Sequence, residues 1–181
     1  MMLNKILKVA FAVFCIVTLL YLALPNFSFP LPPPDALQSQ EPADTETPLR
    51  RAYFTNYTRA EVLDWYRNEF KTSKFLGVRL PTYLLNYPPE DAQTIIRDQT
   101  RSTFLQEVVH PFRESIYING FEPTNPKDVI FIGGKNWRQK IIIRFVPSSI
   151  LFRIGIFIIT TALIVVVYRA WFRTLEGKKH E

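Results

Sequence analysis

Two long apolar segments, one near each end of the chain, constrain its fold more than any other feature. They are Ile6–Leu24 and Ser149–Tyr168. An α-helix needs about 20 apolar residues to cross a hydrocarbon core of about 30 Å. Both segments reach this length, so the sequence predicts two transmembrane helices with a folded domain between them.

The first segment is predicted to be a retained anchor and not a cleaved signal peptide. Lys5 lies just before the apolar run and Lys8 lies near its start, as basic residues do in signal peptides. However, the run ends in Leu22-Ala23-Leu24-Pro25, which is a poor match to the A-x-A-like pattern of small residues at a cleavage site. The single cysteine, Cys15, lies in the middle of the run, where it cannot serve as a lipoprotein anchor.

The second segment carries signals of a membrane helix at both ends. Ser148 and Ser149 follow Pro147, a pattern typical of a helix start. Arg153 interrupts the apolar run, so we expect its long side chain to extend to the outer interface. Aromatic and basic residues gather at the other end, as they do where a helix meets lipid headgroups. The residues predicted at the two membrane interfaces are Lys5, Lys8, Arg153, Tyr168, Arg169, Trp171 and Arg173.

The distribution of basic residues predicts the orientation. Basic residues precede the first helix and follow the second, whereas the chain after the first helix carries no Lys or Arg before Arg50. By the positive-inside rule, both tails (residues 1–5 and 169–181) are expected in the cytoplasm and the central domain outside. Basic residues just before the second helix, such as Arg144, oppose this orientation, but long loops contribute little to the rule.

The net charge of +6 belongs to the membrane flanks and not to the domain. Residues 25–149 contain 15 Lys and Arg against 14 Asp and Glu, which leaves the central chain almost neutral. A nucleic-acid-binding protein would concentrate its positive charge on the folded domain. We therefore expect the lipid bilayer as a partner and no nucleic acid.

The stretch at residues 25–48 is predicted to be a linker. It is rich in proline, contains four acidic residues and has no Lys, Arg or Gly. Such a composition favours an extended polyproline II conformation and offers little apolar surface to bury. We expect a semi-rigid spacer between the first helix and the domain.

Residues 49–146 are predicted to form one α+β domain. Thr58-Arg59-Ala60-Glu61 is a capping box that opens a helix reaching about Phe70. A second helix is expected from Pro88 to about Arg101.

Strands are expected from several short segments of the same domain. Thr103–Val109 fits both a helix and a strand, and its β-branched residues and the following Pro111 favour a strand. Ser115–Phe121 is a further strand in which Asn119-Gly120 suggests a bulge or turn, and Leu80–Tyr87 is a short one. Two strands should flank Gly133-Gly134-Lys135-Asn136 as a hairpin, at Val129–Ile132 and Trp137–Val146. Together these elements predict an antiparallel sheet of three to five strands with about two helices.

Catalytic and metal-binding chemistry is sparse in the sequence. Gly133-Gly134-Lys135 lacks the spacing of a phosphate-binding loop, and the domain holds one histidine, His110. Glu107 lies three residues away, but no serine or cysteine occupies a nucleophile motif. We expect no metal site and no cofactor, and we expect His110 to be exposed or salt-bridged. No catalytic residue is assigned.

Three arginines form the most informative polar set. Arg97 and Arg101 would share one face of the predicted second helix, and Arg113 follows Pro111 in a turn. Converging guanidinium groups bind phosphate or carboxylate, so the three are a candidate anion-binding site. The alternative is ordinary pairing with nearby acids, for which the sequence offers Asp98, Glu90 and Glu114.

Two classes of function fit these observations. The first is a non-catalytic interaction or envelope-complex module, held close to the bilayer and bound to another membrane or envelope protein. The second is a membrane-proximal enzyme, for example a hydrolase, that uses carboxylates. The lack of a catalytic motif in the sequence favours the first class.

Overall fold

The structure, a computed structural model, describes residues 2–71, 74–75, 78–97 and 99–177. Asp98 and the basic tail residues Lys178 and Lys179 lie outside these described residues. The chain divides into two compact units: Asn26–Pro147 form one, and the terminal segments on either side form the other. Each unit is described separately.

Three helices and ten strands make up the described chain. The helices are α1 (Met2–Ala23), α2 (Arg59–Lys71) and α3 (Ile150–Gly177). The strands are β1 (Leu37–Gln38), β2 (Arg50–Thr55), β3 (Lys74–Phe75), β4 (Val78–Arg79), β5 (Tyr83–Tyr87), β6 (Phe104–Val109), β7 (Ser115–Phe121), β8 (Ile130–Ile132), β9 (Lys135–Trp137) and β10 (Gln139–Val146).

The terminal unit consists of the two long apolar helices. Lys5–Ala23 in α1 and Ile150–Thr174 in α3 are both long and apolar enough to cross a membrane. Only 6% of the most apolar window of each is buried, whereas a core helix of a soluble protein would be mostly buried. By length and composition α1 also resembles a signal sequence. The two helices thus support membrane association.

Arg153 connects the two terminal helices. Its guanidinium Nη2 donates a hydrogen bond of 3.0 Å to the carbonyl oxygen of Leu24, just past the end of α1. A cation at this place satisfies a carbonyl that the helix itself leaves without a partner, and it complements the helix dipole. The structure therefore gives the Arg153 side chain a specific acceptor, where the sequence predicts only an extension toward the interface.

The central unit is built on a six-stranded antiparallel sheet. Its strand order is β1-β2-β10-β7-β6-β5, and two small hairpins, β3–β4 and β8–β9, lie outside it. This confirms the α+β class, but the sheet has six strands instead of three to five. The extra strands come from Arg50–Thr55 and from Leu37–Gln38, the latter within the predicted linker.

Helix α2, which the sequence predicts, covers one face of the sheet. The capping box forms: the Thr58 amide donates to Glu61 Oε2 at 2.7 Å, and the Glu61 amide donates to Thr58 Oγ1 at 3.3 Å. The apolar side of the helix then packs on alternating residues of the strands, which share one face because side chains alternate along a strand. The buried residues on this face are Tyr53, Val62, Leu63, Tyr66, Phe70, Phe104, Val108, Ile116, Ile118, Ile141, Ile143 and Phe145.

The opposite face is covered only in part. A 3₁₀ turn at Pro89–Asp91 and a π-helical turn at Gln93–Arg97 replace the second helix that the sequence predicts to reach Arg101. Arg97 has a φ of 67°, which the right-handed helix cannot accommodate, and the helical run ends there. These turns place Ala92 and Ile96 against the smaller core of Ala52, Leu105 and Ile142.

The proline-rich segment contacts the sheet and α2 at several points. Leu37–Gln38 pair with β2, and Trp65 Nε1 donates a hydrogen bond of 3.0 Å to the carbonyl oxygen of Leu31. Asp35 accepts two further bonds of 2.7 Å, from Thr55 Oγ1 and from the Asn56 amide. The residues from Asn26 onward accordingly belong to the same compact unit as the sheet.

Asp44 is a second polar anchor of this segment. Its buried carboxylate accepts a hydrogen bond of 2.6 Å from Ser39 Oγ and lies 2.7 Å from Lys140 Nζ. Lys140 also contacts Glu41 Oε2 at 2.7 Å. A buried carboxylate needs such donors to offset its desolvation, so these contacts hold the segment against β10.

The glycine-containing turns also differ from the sequence prediction in part. Gly133 and Gly134 have positive φ and close a hairpin of β8 and β9, whereas the longer strand β10 pairs within the main sheet. Asn119 and Gly120 form no bulge or turn and lie in regular pairing inside β7. Gly120 faces Phe104 across the sheet, and a Cβ atom at this position would overlap the Phe104 ring.

Candidate functional site

The candidate site is the part of the second sheet face that lies beyond the smaller core, together with the edge strand β5. The register aligns Leu85, Glu107, Tyr117 and Arg144 in one row across four strands. A neighbouring row, nearer the β6–β7 turn, contains Tyr83, Val109, Ser115 and Val146. Tyr83 is 58% exposed and Leu85 is 43% exposed, so apolar surface is accessible here. We call these two rows the open face.

A buried carboxylate lies at the centre of the open face. Tyr87 Oη donates a hydrogen bond of 2.7 Å to Glu107 Oε2. This hydrogen bond raises the pKa of Tyr87 far above its ordinary value, and burial followed by the charge of Glu107 raises the pKa of Tyr117. Both phenols therefore remain protonated at neutral pH and act as hydrogen-bond donors, not as bases. The sequence does not single out this cluster. The only available signal is the two-residue alternation along the strands, which places Glu107 and Tyr117 on the same face of the sheet.

Strand β5 is an edge strand of the main sheet. No described strand pairs with its outer side. Its position is fixed on the inner side by pairing with β6, and the Asn86 side chain accepts bonds of 3.1 Å from Arg59 and from Gln106. An edge strand whose outer side pairs with no described strand is a template for an added strand from another chain.

The three candidate anion-binding arginines bind three different carboxylates. Arg97 pairs with Glu46 at 2.9 Å, Arg101 with Asp128 at 3.0 Å, and Arg113 with Glu114 at 3.1 Å. Arg101 follows the end of the π-helical turn, so the helix face that it was predicted to share with Arg97 does not exist. These ion pairs favour the alternative of ordinary pairing, with Glu114 the one expected partner among the three observed acids. The anion-binding role stays a prediction.

His110 is neither exposed nor held by a salt bridge, which makes that prediction wrong. Its ring is fully buried and stacks on the Phe70 ring with centroids 4.9 Å apart, and Nδ1 lies 2.9 Å from the carbonyl oxygen of Pro81. Three residues along an extended chain bring Glu107 and His110 to opposite faces, so they do not form a catalytic pair. Burial lowers the pKa of His110, which keeps the ring neutral.

The remaining sequence motifs show no ligand chemistry in the described part of the chain. Lys135 lies in the β8–β9 hairpin with its Nζ 4.3 Å from the centre of the Trp137 ring, a cation–π contact within the turn. Among the described residues, no three His, Cys, Asp or Glu side chains are placed to hold a metal ion.

Comparisons with protein family models, with curated proteins and with solved structures find no match to this chain. The fold and the open face are therefore interpreted from their own geometry. That geometry contains an accessible strand edge, exposed apolar side chains and a carboxylate satisfied by phenol donors, which together are suited to binding.

The buried histidine predicts a loss of stability in mild acid. Because the folded pKa of His110 is lowered, the unfolded chain takes up a proton near its ordinary pKa of about 6.5, whereas the folded chain does not. The free energy of unfolding therefore decreases as pH falls from about 7 to 5. This one group contributes up to about 1.4 kcal/mol per pH unit to the decrease. The measurement is the free energy of unfolding of the full chain in micelles across this range.

The variant His110→Gln should show a smaller loss over the same pH range, since it has no ring to protonate. His180→Gln, which removes the other histidine of the chain, is the matched control and should keep the full dependence. Equal pH dependence in His110→Gln and in the unaltered chain would contradict the assignment.

Proposed function

We propose that the protein is a two-span integral membrane protein whose central domain lies outside the cytoplasm, close to the bilayer, and binds another membrane or envelope protein without catalysis. The observation that carries this proposal is the accessible edge of β5, flanked by the exposed side chains of Tyr83 and Leu85. Separate observations support each part of the proposal: the attachment to the membrane, the position close to the bilayer, binding in preference to catalysis, and the binding mode.

Membrane attachment is supported by the surface of the terminal helices. An apolar helix that buries only 6% of its most apolar window would expose most of that surface to water in a soluble protein. A bilayer removes this cost. The basic residues that flank the two helices then favour cytoplasmic tails and an external domain.

A position close to the bilayer is supported by the connection between β10 and α3. Only Pro147, Ser148 and Ser149 separate the last strand residue from the first helical residue. At about 3.3–3.6 Å per residue, such a connection spans on the order of 10 Å. If α3 crosses the membrane, the end of β10 therefore stays near the headgroups.

A binding role is favoured over a hydrolase by the state of the buried acids. Asp44 is bound by Ser39 and Lys140, Glu107 by Tyr87, and Glu114 by Arg113. A catalytic acid or base must be able to exchange its proton with a substrate. Carboxylates that are engaged by donors of the protein are typical of structural hydrogen bonding.

The binding mode that fits the open face is addition of an extended segment of the partner to β5. Main-chain hydrogen bonds along the strand edge would supply affinity, and contacts with Tyr83 and Leu85 would supply specificity. This mode needs no cofactor and no metal.

The orientation can be tested with single cysteines in a Cys15→Ala background. Lys127, which is exposed in the central domain, and Lys178 in the C-terminal tail are each replaced by cysteine. On intact cells a membrane-impermeant maleimide should label position 127, and it should label position 178 only after permeabilisation, because both tails are cytoplasmic. The reverse pattern would overturn the orientation.

The partner interaction can be tested by photo-crosslinking in native membranes. A photoreactive amino acid at Leu85 should give one discrete adduct with another membrane or envelope protein, because this side chain borders the strand edge. Phe131, an exposed apolar residue on the separate β8–β9 hairpin, is the matched control position and should not give that adduct.

A second change links the adduct to the strand edge. Tyr83→Lys should abolish crosslinking from position 85, since a lysine on an edge strand opposes strand addition. An adduct that forms equally from positions 85 and 131, or that persists in Tyr83→Lys, would contradict the proposed binding mode.

A further inference from the structure

The turn between β6 and β7 presents a single large apolar side chain. Phe112 is 84% exposed, the most exposed large apolar residue of the described chain. It also has a φ of 59°, which is uncommon for a bulky residue that is not glycine. The turn therefore holds the Phe112 ring outside the packed core of the domain.

The turn that carries Phe112 is firmly held. The Arg113 amide donates a hydrogen bond of 2.9 Å to the His110 carbonyl, and the His110 amide donates one of 3.2 Å to the Glu114 carbonyl. The His110 ring is stacked in the core beneath, and the Arg113–Glu114 pair is buried. The base of the turn is therefore rigid, while its tip is exposed.

The Phe112 turn lies at the end of the sheet where the chain leaves for both terminal helices. Val146, the last residue of β10 before the connection to α3, pairs with Ser115, the first residue after the turn. On the other side, the Phe27 ring lies 5.5 Å from the His110 ring and 5.7 Å from the Arg113 guanidinium carbon. Phe27 follows closely on the residues that connect the domain to α1.

We propose that Phe112 inserts into the interfacial layer of the bilayer that holds α1 and α3, and so provides the central domain with a third, non-covalent membrane contact. This inference rests on the proposed two-span membrane function. Both covalent links leave from the Phe112 end of the sheet, so a bilayer crossed by α1 and α3 would be reached from this end over a short length of chain. Aromatic rings partition favourably into the interfacial layer.

The surroundings of Phe112 favour lipid as its partner. Tyr83 and Val146 belong to the row of the open face nearest this end, and both are exposed. The charged neighbours Arg113 and Glu114 are paired with each other, so the turn does not bring an isolated charge to the lipid surface. Apolar residues next to paired charges are compatible with shallow insertion.

The test uses the full chain in vesicles of phosphatidylcholine and phosphatidylglycerol that contain a lipid spin-labelled near the headgroup end of its acyl chain. Phe112→Cys in a Cys15→Ala background carries an environment-sensitive fluorophore. We expect its emission to shift to the blue and its quenching by the spin label to exceed that at the control position at least about twofold. The control is Phe131→Cys in the same background, because Phe131 is also an exposed phenylalanine and lies on the separate β8–β9 hairpin.

A second measurement avoids the added dye. Unlabelled Phe112→Cys should react with a charged, water-soluble maleimide several-fold more slowly in vesicles than in micelles that leave the turn accessible, whereas Phe131→Cys should react equally in both. Slow reaction at position 112 without lipid quenching would mean that a protein surface, such as a second copy, covers Phe112, and would overturn the proposal.

The native cysteine separates failure of this inference from failure of the proposed function. A fluorophore on Cys15, in the middle of α1, should be quenched by a lipid spin-labelled deep in its acyl chain. If Cys15 is quenched while positions 112 and 131 are quenched weakly and equally, the proposal that Phe112 inserts is wrong and the membrane span stands. No quenching at Cys15 would remove the membrane span and, with it, the basis of this inference.

Discussion

The pairing of β10 is the interaction on which the rest of the structure depends. This strand lies inside the sheet between β2 and β7, supplies Ile141 and Ile143 to the larger core, and then leads through three residues to α3. Its register with Ser115 brings the Phe112 turn to the same end of the sheet as this exit. One set of main-chain hydrogen bonds thus determines both the core and the end of the domain that is tied to the apolar helices.

Polar contacts, together with packing of Phe29 and Ala36 on the larger core, hold the segment between α1 and the sheet. Asp35 and Asp44 accept hydrogen bonds or salt bridges from residues of β2, β10 and their neighbours. The buried carboxylate of Asp44 is costly without such donors, so its partners fix the place of this part of the segment. The domain is consequently joined to both helices by short, ordered connections, which supports a function at the membrane surface.

Some local signals in the sequence predicted their elements correctly, whereas the helix predicted from Pro88 to about Arg101 is replaced by two short turns. The capping box at Thr58 and Glu61 marked α2, and β-branched residues marked the strand Phe104–Val109. Long-range contacts were the source of the other main errors. Nothing near Asp44 reveals Lys140, nearly a hundred residues away, and nothing near His110 reveals that Phe70 will stack on it. The tyrosine–carboxylate cluster of the open face was missed for the same reason, because its members come from three strands.

We propose that helices at both ends hold the domain at the membrane. The measurement that tests this most directly is the intact mass of the protein extracted from membranes. We expect the mass to include α1 (Met2–Ala23), because the sequence Leu22-Ala23-Leu24-Pro25 at the end of this helix is a poor cleavage site. A mature chain that begins near Asn26 or Phe27 would contradict it, since the domain would then be attached through α3 alone.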